Sequence, residues 1–352
     1  MQNYIVETTA SPLELARQNP YGFILDLAKQ IGGTDSNIVR LSGGINNDVY
    51  RVDTKRQSLV LKCYPETGAG HRDRMRAEVE FLQYANKVVP RHVPRLIDVN
   101  FTTRWVLMEF IRGKTFIEGQ SLSENQIQEA VRFFESLNKD REGAKQLVSM
   151  DAAEGFLKLT DHLNNVEQRI SRLTTRHVPI ALIDKSSQLI NQLNSQYDLV
   201  RQMTLTSIAQ GKTNNETALD QRCVSASDFG FHNAIQTEHG VKFIDFEFAG
   251  WDDPAKASLD FVLQPKVPVL AKPTSLINAL TDKLVYHDDA RFNLLGAILR
   301  IKWLCIILSF LEPARFIQRM KNKNAAQREF FVIKQLRIAS AYFEREVPFG
   351  LY

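Results

Sequence analysis

Hydrophobic residues in the first third of the chain fall into short runs that turn-forming residues separate, which is typical of strands. These runs cover residues 38–41, 49–53, 58–64, 96–99 and 105–110. A leading helical pattern runs from Ser11 to Ile31, and another begins at residue 76. The pattern predicts a small sheet accompanied by these helices. A break follows at Gly113, so we predict a first lobe over residues 1–112 and a second over residues 113–352.

From residue 121 onward the hydrophobic spacing becomes helical. The sequence from Ser123 to Gln126 matches a capping box in front of a helix over residues 127–137. Longer helical patterns cover residues 156–173 and 182–208, the second ending near Gly211, and the segment 276–346 is again mostly helical. The second lobe is therefore expected to be mainly α-helical.

One short strand pair interrupts this helical part. Residues 234–237 and 241–246 read as strands, joined by turn residues 238–240. Asp228 and Asn233 lie on the loop before the pair, five residues apart, and Asp245 lies twelve residues further on. Phosphoryl transfer needs a group that accepts a hydroxyl proton and oxygen ligands for magnesium. We predict that Asp228 faces the attacking hydroxyl and that Asn233 and Asp245 bind the metal.

This stretch is open to two other interpretations. A single aspartate on a loop is more often a helix cap or a solvated turn residue than a catalyst. The triplet from Asp228 to Gly230 also spells the Asp-Phe-Gly that binds metal in protein kinases. An asparagine and another strand-borne aspartate follow it, so we place Asp228 in the catalytic loop and give Asp245 the metal position.

The first lobe offers residues for a nucleotide. Gly43, Gly44 and Asn46 lie in a small-residue turn between two strands, whose tip can approach phosphates because glycine has no side chain, although a plain hairpin turn explains it equally well. Lys62 lies in an apolar strand and needs a partner. Glu78, sixteen residues on, is the expected partner, with Glu80 as the alternative. Backbone groups where the last strand ends, at Glu109 and Ile111, are candidates for contacting an adenine ring.

Composition narrows the function. The chain has 352 residues, 44% hydrophobic and 24% charged, with a net charge of +4 that forms no basic cluster, so nucleic-acid binding is not expected. Cys63, Cys223 and Cys305 show no disulfide or metal spacing and favour a reduced, cytoplasmic setting. The apolar stretch 292–311 contains Arg300 and Lys302, so we expect a buried helix and no membrane partner. No signal peptide is expected from the first twelve residues.

In their order along the chain, these motifs resemble the aminoglycoside phosphotransferase and choline kinase family, over residues from about 41 to about 260. The most specific part is Asp-x4-Asn followed by Ile-Asp-Phe-Glu. The resemblance implies an α+β, protein-kinase-like bilobal fold, with a small antiparallel-sheet lobe, a larger helical lobe and MgATP between them. It also implies roles: a catalytic base (Asp228), magnesium ligands (Asn233, Asp245) and a phosphate-orienting pair (Lys62, Glu78).

The chain departs from the family in one motif. The family has His-Gly before the catalytic aspartate, whereas this chain has Ala226 and Ser227. His232 is a partial substitute, although such a histidine is more often structural. The departure motivates an alternative function, a nucleotide-binding pseudokinase with a regulatory or scaffold role.

The length of the chain after the metal aspartate bears on the acceptor. Only fifteen residues separate Asp245 from Asp260, both of which match the family, so a peptide-docking platform is not expected. The resemblance therefore implies a small-molecule hydroxyl acceptor such as a sugar, amino sugar or amino alcohol. Its identity, the choice between ATP and GTP and the oligomeric state stay open. Contacts of Arg300, Lys302 and Trp303 with an anionic or ring-shaped substrate also stay open, and these residues are more readily explained as helix surface and core.

Overall fold

A five-stranded antiparallel sheet forms the first part of the protein. The computed structural model describes residues 26–27, 29–31, 33, 37–41, 47–68, 71–269 and 289–345. The strands have the spatial order β1-β2-β3-β5-β4. Their bounds are β1 Asn37–Arg40, β2 Asp48–Asp53, β3 Ser58–Cys63, β4 Leu96–Asn100 and β5 Trp105–Glu109. Each predicted strand of this sheet is present, with ends shifted by one or two residues.

Helix α1 (Arg74–Val88) accompanies this sheet. Residues 26–27 and 29–31 are also helical, and Leu27 and Ile31 pack against the sheet, whereas the start of the predicted leading helix lies outside the described residues. Asp73 caps α1, since its side chain accepts a hydrogen bond from the backbone N–H of Arg76. Apolar residues three or four positions apart, among them Met75, Val79 and Leu82, form its buried face. That face packs into the main core, which fixes the position of the helix. Glu78, on its second turn, is thereby held beside β3.

The chain crosses to the second part between Glu109 and Lys114. The two-residue strand β6 (Lys114–Thr115) pairs with β8 (Ala234–Thr237), which pairs in turn with β9 (Gly240–Phe243). A further antiparallel pair joins β7 (Cys223–Ser225) to β10 (Gly250–Asp252). The predicted α+β class, with a small antiparallel sheet before a mainly helical part, is confirmed. The lobe boundary at residue 112 stays a prediction.

Helices make up most of the second part. In chain order they are α2 Glu124–Leu137, α3 Arg141–Lys145, α4 Leu159–Ile170, α5 Ile183–Ala209, α6 Pro254–Leu263, α7 Asp289–Ile307, α8 Pro313–Met320 and α9 Ala325–Glu344. The capping box predicted for α2 is present, with Ser123 and Gln126 bonding reciprocally. The helix predicted over residues 156–173 is shorter at both ends. Gly211, just after α5, has a φ of +65°, which glycine adopts without strain.

Helix α7 and the 3₁₀ turn after it, Asp289–Leu311, form the one helix among the described residues that is long and apolar enough to cross a membrane. Of its apolar window, 89% is buried inside the protein. The helix packs against α4, α5, α6 and α9, and it is the central helix of the second part. Arg300 lies inside the fold, where its guanidinium donates to the carbonyls of Phe343 and Arg345.

Candidate active site

Lys62 and Glu78 form a buried ion pair between β3 and α1. The Lys62 Nζ atom lies 2.7 Å from Glu78 Oε2, and the two residues are 6% and 1% exposed. The Tyr64 hydroxyl also donates to Glu78 Oε2. Glu80, the alternative partner, instead binds Arg76 and Ser149 on the outside of α1. The helical spacing explains this, because residues 78 and 80 point to different faces of α1.

The same lysine reaches across to the second part of the protein. Lys62 Nζ lies 2.6 Å from Asp245 Oδ1 and 3.8 Å from Glu247 Oε2. Burial alone lowers the pKa of Lys62, but the carboxylates of Glu78, Asp245 and Glu247 outweigh burial and raise it. Lys62 is therefore charged at neutral pH. It links the sheet, α1 and the segment after β9.

Strand β9 ends earlier than predicted, at Phe243 instead of residue 246, and this change places Asp245. The Ile244 N–H still follows the register of the pair and donates to the Asn233 carbonyl at 2.9 Å, one residue beyond the strand. Asp245 then adopts a φ of +67°, in the left-handed region. Phe246 returns to the core, stacking on Phe81 at 4.5 Å between ring centroids. The reversal leaves the Asp245 carboxylate facing the cleft, between the partly buried Ile244 and the buried Phe246.

Asp228 follows β7 on a tight loop. Ser227, which stands where the resembling family has glycine, adopts a φ of +63°. Hydroxyl groups hold this turn: Ser225 Oγ accepts from the Ser227 N–H at 2.9 Å, and Ser227 Oγ donates to the Ala153 carbonyl at 3.1 Å. Phe229 packs on a cluster of core phenylalanines, so the Asp-Phe-Gly triplet lies on a fixed loop next to the β8–β9 hairpin.

His232 and Asn233 both bind the Asp228 carboxylate. His232 Nε2 lies 2.9 Å from Asp228 Oδ1, and Asn233 Nδ2 donates to Asp228 Oδ2 at 3.1 Å. Burial raises the pKa of Asp228, but the hydrogen bonds and the positive charge of Lys266 bring it below the ordinary value. Sequence reasoning favoured a structural role for His232, whereas the structure places its ring against the predicted catalytic carboxylate.

Gly230 makes room for that ring. A Cβ atom at Gly230 would lie 2.8 Å from His232 Nδ1, closer than packed atoms approach. The signal in the sequence was therefore a glycine two residues before the histidine. The loop needs a residue without a side chain there for the imidazole to reach Asp228.

Two oxygen atoms of the site remain available for a cation. Within the described part of the chain, neither Asn233 Oδ1 nor Asp245 Oδ2 accepts a hydrogen bond. An amide oxygen and a carboxylate oxygen are ligands that Mg²⁺ accepts, and Mg²⁺ usually takes only one or two protein ligands together with substrate phosphates. The described residues contain no group of three His, Cys, Asp or Glu that could hold a metal. The donor set fits Mg²⁺ bound jointly by protein and phosphate.

The predicted adenine contacts lie where β5 ends. The Glu109 side chain binds Lys242 Nζ at 3.1 Å through both oxygens, and Glu109 also lines the cavity. Ile111 is buried and lines the cavity, and among the described residues nothing bonds to its backbone. The predicted phosphate contacts Gly43, Gly44 and Asn46 lie outside the described residues. Asn47, the next residue, donates to the buried carboxylate of Glu247, a link that sequence reasoning missed.

The predicted site residues within the described part of the chain, and His232 with them, line one cavity of about 1310 Å³. It runs from Ile111 and Lys62, past Asp245 and Asp228, to the helices α7, α8 and α9. Lys302 and Trp303 line its far part, and both bind the buried carboxylate of Asp260, at 2.7 Å and 2.9 Å. They are therefore both core residues and part of the cavity wall.

Comparison with known proteins adds to this geometry. The model of the phosphotransferase enzyme family matches residues 37–256. The fold is similar to that of a spectinomycin phosphotransferase in complex with ADP and spectinomycin, with a TM-score of 0.59, 13% identity, and 92% and 98% of the two chains covered. The fold is also similar to that of a choline kinase from Cryptosporidium parvum Iowa II, with a TM-score of 0.56 and 13% identity, covering 94% of this chain and 98% of the other. For a choline/ethanolamine kinase family protein from Mesorhizobium loti the TM-score is 0.54 and the identity 14%, covering 92% of this chain and 94% of the other. No curated protein matches the sequence significantly.

Proposed function

Because this chain belongs to the phosphotransferase enzyme family, we propose that it transfers the γ-phosphoryl group of ATP to a hydroxyl group of a small metabolite. The resemblance drawn from the motifs is confirmed at the level of the family, and the kinase-like fold agrees with it. ATP, Mg²⁺ and the acceptor are our inference. ADP is named in the complex of the spectinomycin phosphotransferase, and the acceptors named for the similar structures are small molecules.

One observation carries the proposal: Lys62, Glu78, Asp245, Asn233 and Asp228 converge on one cavity from four separate segments, Asp228 and Asn233 sharing a loop. The Lys62–Asp245 contact of 2.6 Å joins the two parts of the protein at that place. Phosphoryl transfer depends mainly on positioning and on charge stabilisation, so such convergence is what the reaction requires. No observation favours the pseudokinase alternative.

Each residue has one task in the proposed reaction. Asp228 accepts the proton of the acceptor hydroxyl while the acceptor oxygen bonds to phosphorus and the bond from phosphorus to the ADP oxygen breaks. Lys62, fixed by Glu78, contacts the phosphates. Asn233 and Asp245 would hold Mg²⁺, which would offset negative charge on the phosphates. His232 keeps the Asp228 carboxylate in one orientation and ionised.

The chain between the metal aspartate and α6 favours a small acceptor. Only residues 246–253 connect Asp245 to α6, and β10 lies within this segment. In protein kinases a much longer segment at this place docks the peptide. We therefore expect the acceptor to enter the cavity itself. The three free cysteines and the use of ATP favour the cytoplasm, which stays a prediction.

Replacing the proposed base tests the function. Asp228→Asn keeps the size of the side chain but accepts no proton, so we expect the rate of ADP release to fall by about 10²- to 10⁴-fold. Affinity for MgATP, measured by calorimetry, should change little. Asp220→Asn, an exposed residue on the loop before β7, is the matched control. Full activity in Asp228→Asn, or failure of the wild type to bind MgATP, would contradict the proposal.

A further inference from the structure

The far part of the cavity is built from a different set of residues than the nucleotide part. We call it the distal half: the wall formed by the loop 264–267 after α6 and by α7, α8 and α9, together with the adjoining side chains of Glu118, Glu154, Arg169, Lys256 and Asp260. Ligand pockets usually enclose about 300–1,000 Å³, and the whole cavity of about 1310 Å³ exceeds this range. The distal half therefore offers space for a second ligand beside a nucleotide.

Every carboxylate that lines the distal half already has a cationic partner. Glu154 binds Arg169, Asp260 binds Lys302 at 2.7 Å and 2.8 Å, and Glu118 lies 3.4 Å from Lys334. A cationic acceptor such as an aminoglycoside or choline would need a carboxylate without such a partner, or an exposed aromatic face. Apart from the proposed base, the described residues of this wall offer it no such carboxylate.

The main aromatic face is also occupied. The Trp303 indole N–H donates to Asp260 Oδ1 at 2.9 Å, and Lys302 Nζ lies 5.5 Å from the centre of the Trp303 ring. A second cation against this ring would meet the charge of Lys302. The ring still presents apolar surface to the cavity, which suits a sugar-like ligand.

Three basic side chains of the same wall differ from the paired ones. Among the described residues, the side chains of Lys266, Arg319 and Lys323 have no hydrogen bond and no ion pair, and all three line the cavity, Lys266 and Lys323 at its exposed edge. Arg319 is half-buried and lies one turn of α8 from Arg315, whose nearest carboxylate is Glu312 at 3.2 Å. Burial and the neighbouring charge of Arg315 lower the pKa of Arg319. Like charges one turn apart destabilise a helix, so folding gains nothing from this arrangement.

We propose that the acceptor is an anion: a hydroxylated, sugar-like metabolite whose carboxylate or phosphate group is bound by Arg319, Lys323 and Lys266. This inference rests on the proposed kinase function. Arg319 presents a planar group that binds either anion through two hydrogen bonds, and Lys323 and Lys266 add charge. Lys266 also lowers the pKa of Asp228, so its charge acts close to the proposed base.

Binding of four matched probes tests the charge of the acceptor. A non-hydrolysable ATP analogue with Mg²⁺ first fills the nucleotide part, and its own binding is measured separately. Glucose 6-phosphate, glucuronate, glucose and glucosamine are then titrated by calorimetry. We expect at least one anionic probe to bind about tenfold or more tightly than glucose and glucosamine, and this advantage to shrink at high salt. Equal or undetectable binding of all four, or a preference for glucosamine, overturns the proposal.

Substitutions assign the effect to the distal half. Arg319→Gln with Lys323→Gln should weaken the preferred anionic probe by about tenfold or more and leave the affinity for the ATP analogue unchanged. Lys321→Gln, an exposed lysine on the same turn that does not line the cavity, is the control. An anion preference that survives the double variant overturns the assignment. Failure of the ATP analogue to bind would instead contradict the kinase function, so the two failures are distinguishable.

Discussion

Lys62 and Lys256 are both almost completely buried, and each lies between two carboxylates. Lys62 Nζ lies 2.7 Å from Glu78 and 2.6 Å from Asp245, and Lys256 Nζ lies 2.8 Å from Asp252 and 3.4 Å from Asp260. Solvent access differs. The Asp245 side chain is 45% exposed, but those of Asp252 and Asp260 are 0% and 4% exposed.

In the cluster around Lys256, which we call the closed cluster, every carboxylate oxygen has a partner. Asp252, Lys256 and Asp260 follow one another at intervals of four residues, so they lie along one side of α6 and its cap. Lys302 from α7 completes the group by binding Asp260. Two lysines thus neutralise two aspartates, and the cluster joins α6 to α7. We expect its contribution to lie in the arrangement of the helices.

The difference shows what marks a functional charge in this fold. A buried ion pair alone is weak support for a site, because structural pairs have similar distances and burial. Around Lys62 the distinguishing feature is a carboxylate that leaves one oxygen open to a cavity. Asp245 has this property, and neither aspartate around Lys256 has it.

The largest effects should come from replacing each lysine by methionine. Lys256→Met leaves Asp252 buried without its cation, so we expect the free energy of unfolding to fall by about 3–5 kcal/mol. Lys62→Met should abolish most phosphoryl transfer but destabilise less, because Asp245 is exposed to water and Glu78 keeps the Tyr64 donor. Urea unfolding and ADP release measure the two effects. Equal destabilisation by both changes would contradict the distinction between a structural cluster around Lys256 and a functional one around Lys62.

The closed cluster also predicts a dependence on pH. Burial raises the pKa of Asp252 to about 6 from its ordinary 3.8, so the folded state retains a proton that the unfolded state loses between these values. Its contribution therefore makes the protein less stable as pH rises through this window. The loss caused by Lys256→Met should accordingly be smaller at pH 5 than at pH 7.5, since the aspartate can then be protonated. A larger loss at pH 5 would contradict this account.

A smaller effect is expected from replacing His232, which binds the Asp228 carboxylate. His232→Ala removes one bond to the Asp228 carboxylate, so we expect kcat to fall by about tenfold with little change in the KM for ATP. His232→Gln, which can still donate, should recover part of the rate. Gly230→Ala should resemble His232→Ala, because its Cβ displaces the imidazole ring. An unchanged kcat in His232→Ala would leave His232 a packing residue.

The smallest effect concerns backbone strain at Ser227, next to the proposed base. Ser227 has a φ of +63°, a conformation that costs a residue with a side chain about 1–2 kcal/mol. Ser227→Ala and Ser227→Gly both lose the hydroxyl that donates to Ala153. The difference in stability between these two variants therefore reports the backbone strain. The greater flexibility of glycine in the unfolded state reduces this difference. We expect the glycine variant to be more stable by about 1 kcal/mol in thermal unfolding, and the reverse order would exclude strain at this position.

Local patterns in the sequence determined much of the fold and the candidate residues. The strands of the first sheet, the cap of α2 and the β8–β9 hairpin depend on neighbouring residues, so periodicity and turn chemistry predict them. The spacing of Asp228 and Asn233 on one loop follows from the same short range. Lys62 was predicted to need a carboxylate because a charged group inside an apolar strand costs free energy.

The tertiary structure decided the contacts between distant segments. Lys62 meets Asp245 across 183 positions, and Asn47 meets Glu247 across 200, distances over which no periodicity carries information. Side-chain direction was equally beyond the sequence. His232 turns towards Asp228, and the Arg319 side chain has no partner among the described residues, only because the packed helices and loops fix where each side chain points. A hydrophobic pattern depends on residues that are close in the sequence, whereas this site is formed by the packing of segments that are distant in the sequence.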